Sequence, residues 1–197
     1  MDSINESIEA IFRLYDEHGR GDYIGECVSQ TQHMVQCAML AEAEGCSNEV
    51  ILGALFHDIG HLIGLEQNLP RMETQGIQLG IQNHEEMGAK FLKEHGLPEI
   101  TCQMVKGHVD AKRYLVYKDQ VYHDGLSDAS KMTLVHQGGP MTPQEAQTFE
   151  SLPAFEGILN MRTWDERAKD PTVEIQPLAK YKLMCRNLLN QYHTQNM

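Results

Sequence analysis

The sequence predicts an all-α protein, its helices packed as a bundle around a polar centre. Three observations point that way. Apolar residues recur at three- and four-residue spacing in segment after segment, the pattern of helices that bury one face. No segment keeps a sustained period of two, the pattern of a half-buried strand. The run Phe56-His57-Asp58-Ile59-Gly60-His61 sets an adjacent histidine–aspartate pair among apolar residues, where ionisable groups need partners.

Composition bounds the rest. The 197 residues suit a single domain over 1–197, with enough apolar residues (41%) for a sizeable core. A formal charge of −12 argues against nucleic acid or an anionic membrane as a partner. No apolar run reaches the roughly 18 residues of a membrane helix. No leader pattern opens the chain, so a cytoplasmic location is expected. The five cysteines, Cys27, Cys37, Cys46, Cys102 and Cys185, are odd in number and form no CxxC, which reads as reduced thiols. Ten histidines are many for this length and give the first hint of metal.

Ile4, Ile8, Ile11, Phe12 and Tyr15 predict a helix over 3–17, ended by Gly19 and Gly21. Asp22-Tyr23-Ile24-Gly25-Glu26 follows as a loop carrying a phenol and a carboxylate. Ser29 caps a helix that runs to about residue 44 with Met34, Cys37, Ala38 and Ala41 inward. His33 lies one turn before Cys37, on the same face. Gly45 closes that helix and Ser47 caps the next, predicted over 48–62. In a continuous helix there, Asp58 shares the buried face of Val50, Ile51, Ala54 and Leu55, and His57 stacks under His61 at i, i+4.

Residues 63–82 show no sustained period and read as a long loop, a length often tied to function. Asn83 and Glu86 fit a capping box for a helix that Gly96 ends, with His84 in its first turn. Pro98 fits the first position of the following helix. Ile100, Met104 and Val105 face inward there, and His108 and Lys112 follow at successive turns. Ser127 caps a short helix with Ser130 and Lys131, broken at Gln137-Gly138-Gly139-Pro140. Thr142-Pro143-Gln144-Glu145 is a capping box that starts another. Phe155, Ile158, Leu159, Arg162 and Asp165 mark one face of a further helix, and a last helix covers about 177–192.

His33, His57, Asp58, His84, His108 and Asp165 offer more donors than one tetrahedral ion uses. A carboxylate can bridge two ions, which predicts a dinuclear site with Asp58 between them. The absence of cysteine from the set favours iron over thiolate-loving ions.

This ordered set resembles the HD-domain superfamily, an all-α metalloprotein fold. Most of its members look like phosphohydrolases, which use a metal-bound hydroxide. Further stretches resemble a smaller branch, the phosphonate-cleaving mixed-valent diiron oxygenases of the PhnZ/TmpB type. They are Asp22–Glu26, His57–His61, His108–Leu115, Leu126–Ser130 and Gln137–Met141. The resemblance extends over residues 22 to 165 and departs from the family at 62–83, which is longer and different.

The resemblance implies an Fe(II)/Fe(III) pair. One iron would take His33, His57, Asp58 and Asp165, the other His84, His108 and the shared Asp58. Tyr23 would hold an open position on that second iron and leave when substrate arrives. Glu26 would move with it and face a cationic nitrogen of the substrate. His61, Lys112, Ser130 and Arg162 would hold the phosphonate. The implied reaction cleaves the carbon–phosphorus bond of a 1-hydroxy-2-amino- or 1-hydroxy-2-(trimethylammonio)ethylphosphonate with dioxygen. Phosphate is released with glycine or glycine betaine. Two other readings stand beside it: a metal-dependent HD phosphohydrolase, and a binding protein that keeps its metal site. Tyr23 and Glu26 weigh against the hydrolase, which has no use for a tyrosinate gate.

Overall fold

The computed structural model describes residues 2–23 and 25–195; Ile24, in the loop singled out above, lies outside them. Eleven helices and one small hairpin are found among these residues. Helix α1 (Asp2–His18) buries Ile8, Ile11, Phe12, Leu14 and Tyr15. Helix α2 (Gln30–Ala43) starts at Ser29, whose hydroxyl and the Gln32 side chain form a reciprocal capping box.

The helix expected over 48–62 is two helices, α3 (Asn48–Phe56) and α4 (Ile59–Glu66), with His57 and Asp58 at the break. No proline stands at the break, and the nearest glycine, Gly60, lies inside α4. Side chains take the carbonyls that the break frees. His57 Nδ1 donates to Ala54 O at 2.9 Å, and the Tyr15 hydroxyl, arriving from α1, donates to Leu55 O at 2.7 Å. The backbone groups stay satisfied, so the break costs little. It also turns Asp58 out of the helical register and onto the centre.

Residues 63–82 are not a loop. α4 continues to Glu66, and β1 (Arg71–Thr74) pairs antiparallel with β2 (Ile77–Ile81). The turn between them is Gln75-Gly76, both at positive φ (53° and 80°), as a two-residue hairpin requires. Asn83 is left-handed, with no capping hydrogen bond, so the capping box expected there does not form. Helix α5 (His84–Glu94) opens directly on His84. Pro98 precedes α6 (Glu99–Lys118) by one residue and does not sit in its first turn.

A six-residue helix not foreseen, α7 (Gln120–Gly125), leads to α8 (Asp128–His136). Then come α9 (Pro143–Glu150), capped by the Thr142 box as expected, α10 (Phe155–Arg167) and α11 (Leu178–Gln195). Helices α2, α3, α6 and α10 pack on one another, with α5 on α6 and α11 behind α1 and α3. One apolar core runs through them, with Trp164, Phe56, Met34 and Tyr181 fully buried. All five cysteines are free. Among the described residues no helix is long and apolar enough to cross a membrane.

Candidate metal centre

Where α2, the α3–α4 break, α5, α6 and α10 meet, five histidines and two aspartates are buried together: His33, His57, His61, His84, His108, Asp58 and Asp165. Four of the imidazoles are oriented by one device. Their Nδ1 atoms lie on backbone carbonyls: His33 on Ala168 O (2.9 Å), His57 on Ala54 O (2.9 Å), His84 on Ile81 O (3.1 Å) and His108 on Val105 O (2.7 Å). A carbonyl only accepts, so Nδ1 carries the proton and Nε2 of the neutral ring presents a lone pair. Metal-ligating histidines are held in this way.

Those Nε2 atoms meet in two pairs, His33 with His57 at 3.1 Å and His84 with His108 at 3.0 Å. Two lone pairs so close repel, and each pair needs a cation between its members, either a proton or a metal ion. Asp58 serves both pairs, one oxygen to each. Its Oδ2 lies 3.3 Å from His57 and 3.8 Å from His33; its Oδ1 lies 3.3 Å from His84 and 3.4 Å from His108. Asp165 adds Oδ1 at 3.3 Å from His33 Nε2. The donor chemistry fits two ions of the first transition row sharing one carboxylate.

Electrostatics agree. Burial opposes the charge on Asp58, but His57, His61 and His108 outweigh it and hold the carboxyl well below its usual range. Burial also pushes His57 down, yet Asp58 and Asp165 lift it to about 9. The first pair thus takes up a proton where it would take a metal, and loading the metal must expel that proton.

His61 is built the opposite way. The Ile81 N–H donates to its Nδ1 at 3.0 Å, so the ring proton sits on Nε2. Burial, with His84 stacked on it, keeps the ring neutral. His61 therefore offers an N–H donor towards the cavity and no lone pair at Nε2. Two glycines make room for this packing. A Cβ on Gly60 would lie 1.9 Å from the His84 carbonyl oxygen, and one on Gly80 would lie 2.3 Å from His61 Cε1.

A cavity opens on the centre, lined by Tyr23, Glu26, Lys112, Ser130, Arg162 and Lys169 among others. Arg162 donates to Asp165 and, through Nε, to Tyr122 (2.8 Å) and Glu166 (2.9 Å). Burial works against its charge, and Asp165 more than restores it. Lys112 Nζ donates to Thr133 Oγ1 at 2.9 Å; burial, with Arg162 nearby, lowers its pKa to about 7. Ser130 lies in the first turn of α8, its Oγ within 3.2 Å of Ser127 Oγ.

The six donors foreseen from sequence thus come together, and the six cavity residues foreseen line one opening. Two placements differ from expectation. The Tyr23 hydroxyl donates to Asp165 at 3.4 Å and its ring stacks on His33 at 3.8 Å, on the first ligand set and not on the His84–His108 side. The bridge between Asp22 and Ser29 ties this loop to the start of α2, which carries His33. The Glu26 carboxylate lines the cavity already paired, with Lys169 Nζ donating to it at 2.7 Å. Lys169 escaped notice because its partner is 143 residues away and no spacing links them. Cys37 lies on the apolar stripe of α2 with Sγ 4.0 Å from His33 Nε2; burial pushes its thiol up, so it stays protonated.

Comparison with known proteins places these features among relatives. The HD domain family model matches residues 31–153. A protein described only as "Uncharacterized protein L432" of Acanthamoeba polyphaga mimivirus is 39% identical over 196 residues, covering 100% of this chain and 86% of its own. The [1-hydroxy-2-(trimethylamino)ethyl]phosphonate dioxygenase (glycine-betaine-forming) of Leisingera caerulea is 34% identical over 185 residues, 94% of this chain and 91% of its own. The hydroxymethylphosphonate dioxygenase of Gimesia maris is 34% identical over 176 residues, 89% of this chain and 85% of its own.

Proposed function

Because this chain belongs to the HD-domain family, among its phosphonate-cleaving oxygenases, we propose that it is a diiron dioxygenase that splits the carbon–phosphorus bond of a 1-hydroxyphosphonate. The observation that carries the reading is the division of Asp58 between two imidazole pairs beside a cation-lined cavity. His33, His57, Asp58 and Asp165 would hold one iron; His84, His108 and Asp58 would hold the other. When bound, the irons supply the redox chemistry with dioxygen that protein side chains lack. The products are phosphate and the carboxylic acid left at C1: formate from hydroxymethylphosphonate, glycine from the 2-amino substrate, glycine betaine from the trimethylated one.

The chain's own groups bind and orient. Arg162 and Lys112 meet phosphonate oxygens, Arg162 with a planar fork and Lys112 as a point charge. His61 Nε2–H and the Ser130 hydroxyl add neutral donors. This assignment has a pH signature. The charged or titratable groups that act on Lys112 are Arg162, which lowers its pKa, and Asp165, Asp58 and Glu85, which raise it. With its pKa near 7, free Lys112 is neutral above that pH and must take up a proton to hold a phosphonate. Phosphonate affinity should therefore fall as pH rises from 7 to 9. Lys112→Arg, which keeps its charge, should flatten the fall. Calorimetry in buffers of different ionisation enthalpy reads the proton uptake directly, and a flat wild-type profile would count against the role.

Tyr23 guards the centre. Half-buried beside Asp165, its phenol is held well above its usual pKa and stays protonated until a cation draws the proton away. Tyr23→Phe should keep turnover but raise the oxygen consumed per phosphate released, because nothing then shields the site before substrate arrives. An unchanged ratio would make Tyr23 a packing residue. The function itself is tested by loading iron without oxygen, adding each hydroxyphosphonate and then air, and assaying phosphate. Phosphate from at least one of them supports the proposal, and release from none would remove it.

A further inference from the structure

We infer that Lys169 sets substrate choice, and that the 1-hydroxyphosphonate this chain prefers carries no positive charge on the substituent at C1. The inference rests on the function proposed above and narrows it. A substrate ammonium would be recognised by a free carboxylate, and a trimethylammonium by an aromatic face. Both kinds of partner are present in the cavity, and Lys169 already engages each.

Three carboxylates line the cavity among the described residues: Glu26, Asp58 and Asp165. Asp58 faces the imidazole pairs, and Asp165 is held by Arg162 and His33. Glu26 alone lies clear of the metal centre, and Lys169 Nζ binds it at 2.7 Å. Tyr23 is the one phenyl, phenol or indole ring among the lining residues described. Its ring is stacked on His33, and Lys169 Nζ stands 5.8 Å from its centroid, within cation–π range. The lysine thus occupies the seat that a substrate cation would need.

Lys169 is also held in place through its backbone neighbours. The carbonyl of Ala168 orients His33 at 2.9 Å. Asp170 exchanges two hydrogen bonds with the Gln36 side chain, its carbonyl accepting at 2.8 Å and its N–H donating at 3.2 Å. Displacing the lysine backbone would disturb His33, so the stem is fixed at the wall and the ammonium is held by Glu26 and the Tyr23 ring. The Lys169–Glu26 pair is neutral as a unit. It accepts hydrogen or an uncharged group at C1 and gives a cation nothing to replace water with.

The test compares hydroxymethylphosphonate with the 2-amino and 2-trimethylammonio substrates on iron-loaded protein. Anaerobic calorimetry reads binding, and phosphate release in air reads kcat/KM. Wild type should favour hydroxymethylphosphonate at least tenfold in both. Lys169→Ala frees Glu26 and should move the ratio at least tenfold towards the cationic substrates; Lys169→Arg should keep the wild-type order. Adding Glu26→Gln to Lys169→Ala should cancel the gain, which a loss of packing alone would not explain. Wild-type preference for a cationic substrate, or a ratio unmoved by Lys169→Ala, overturns the inference while the proposed reaction stands. If no hydroxyphosphonate is bound or cleaved, the proposed function falls and the inference with it.

Discussion

Asp58→Ala should empty both metal positions at once. The variant, refolded or expressed with iron, is expected to carry close to no metal, and the wild type two ions per chain. Each imidazole pair has only neutral nitrogen donors of its own, and Asp58 gives one oxygen to each, 3.3 Å from His57 and 3.3 Å from His84. Removing it would take the shared negative charge from between the two metal cations. The second pair is left with two histidines alone, and the first keeps only Asp165 as an anion. Activity should fall by about 10³-fold or more, since a metal clamp contributes several kcal/mol and each 1.4 kcal/mol is tenfold. Metal analysis and phosphate release read the two effects separately. A variant that keeps one full equivalent of iron would mean that the two sites are independent.

Arg162→Ala should have the next largest effect, and a double one. Arg162 is buried and bonded to Asp165, so truncation leaves a buried carboxylate without its cation. Breaking such a pair costs about 3–5 kcal/mol of stability. Iron bound at Asp165 would supply the missing positive charge, so the loss should be large in the metal-free protein and much smaller in the loaded one. Thermal unfolding with and without iron reads that difference. Substrate affinity should also fall, by roughly 2 kcal/mol or more, the scale for losing one partner of a desolvated charge pair. Equal destabilisation with and without iron would mean that Asp165 does not face the metal.

Much of this centre is legible in the sequence because each donor is fixed by local structure. His84 opens a helix, His108 lies four residues past Met104 on a long one, and Arg162 and Asp165 are i, i+3 neighbours. What stays hidden is made by long-range bonds. The break at His57-Asp58 is satisfied by a hydroxyl from Tyr15, 40 residues away from its acceptor, and no proline announces it. The hairpin hides because Gln75-Gly76 is a weak version of the usual turn pair and only Met72 of β1 is buried. The division of the histidines into four that present a bare Nε2 and one that presents an N–H is invisible from spacing. It follows from which backbone group each Nδ1 meets, and for His33 that carbonyl belongs to Ala168. The pairing of Glu26 with Lys169 is likewise a tertiary fact. Spacing offers no sign that Glu26 meets a lysine at all, and the preference inferred above for an uncharged substituent rests on that contact.

The measurement closest to the central claim is the oxygen dependence of phosphate release. Iron-loaded protein is mixed with hydroxymethylphosphonate under strict anaerobiosis and then given known amounts of dioxygen. The account predicts no phosphate before oxygen, and then one phosphate and one formate for each dioxygen consumed. Stoichiometric phosphate released without oxygen would contradict it and assign the same residues to hydrolytic cleavage of the carbon–phosphorus bond.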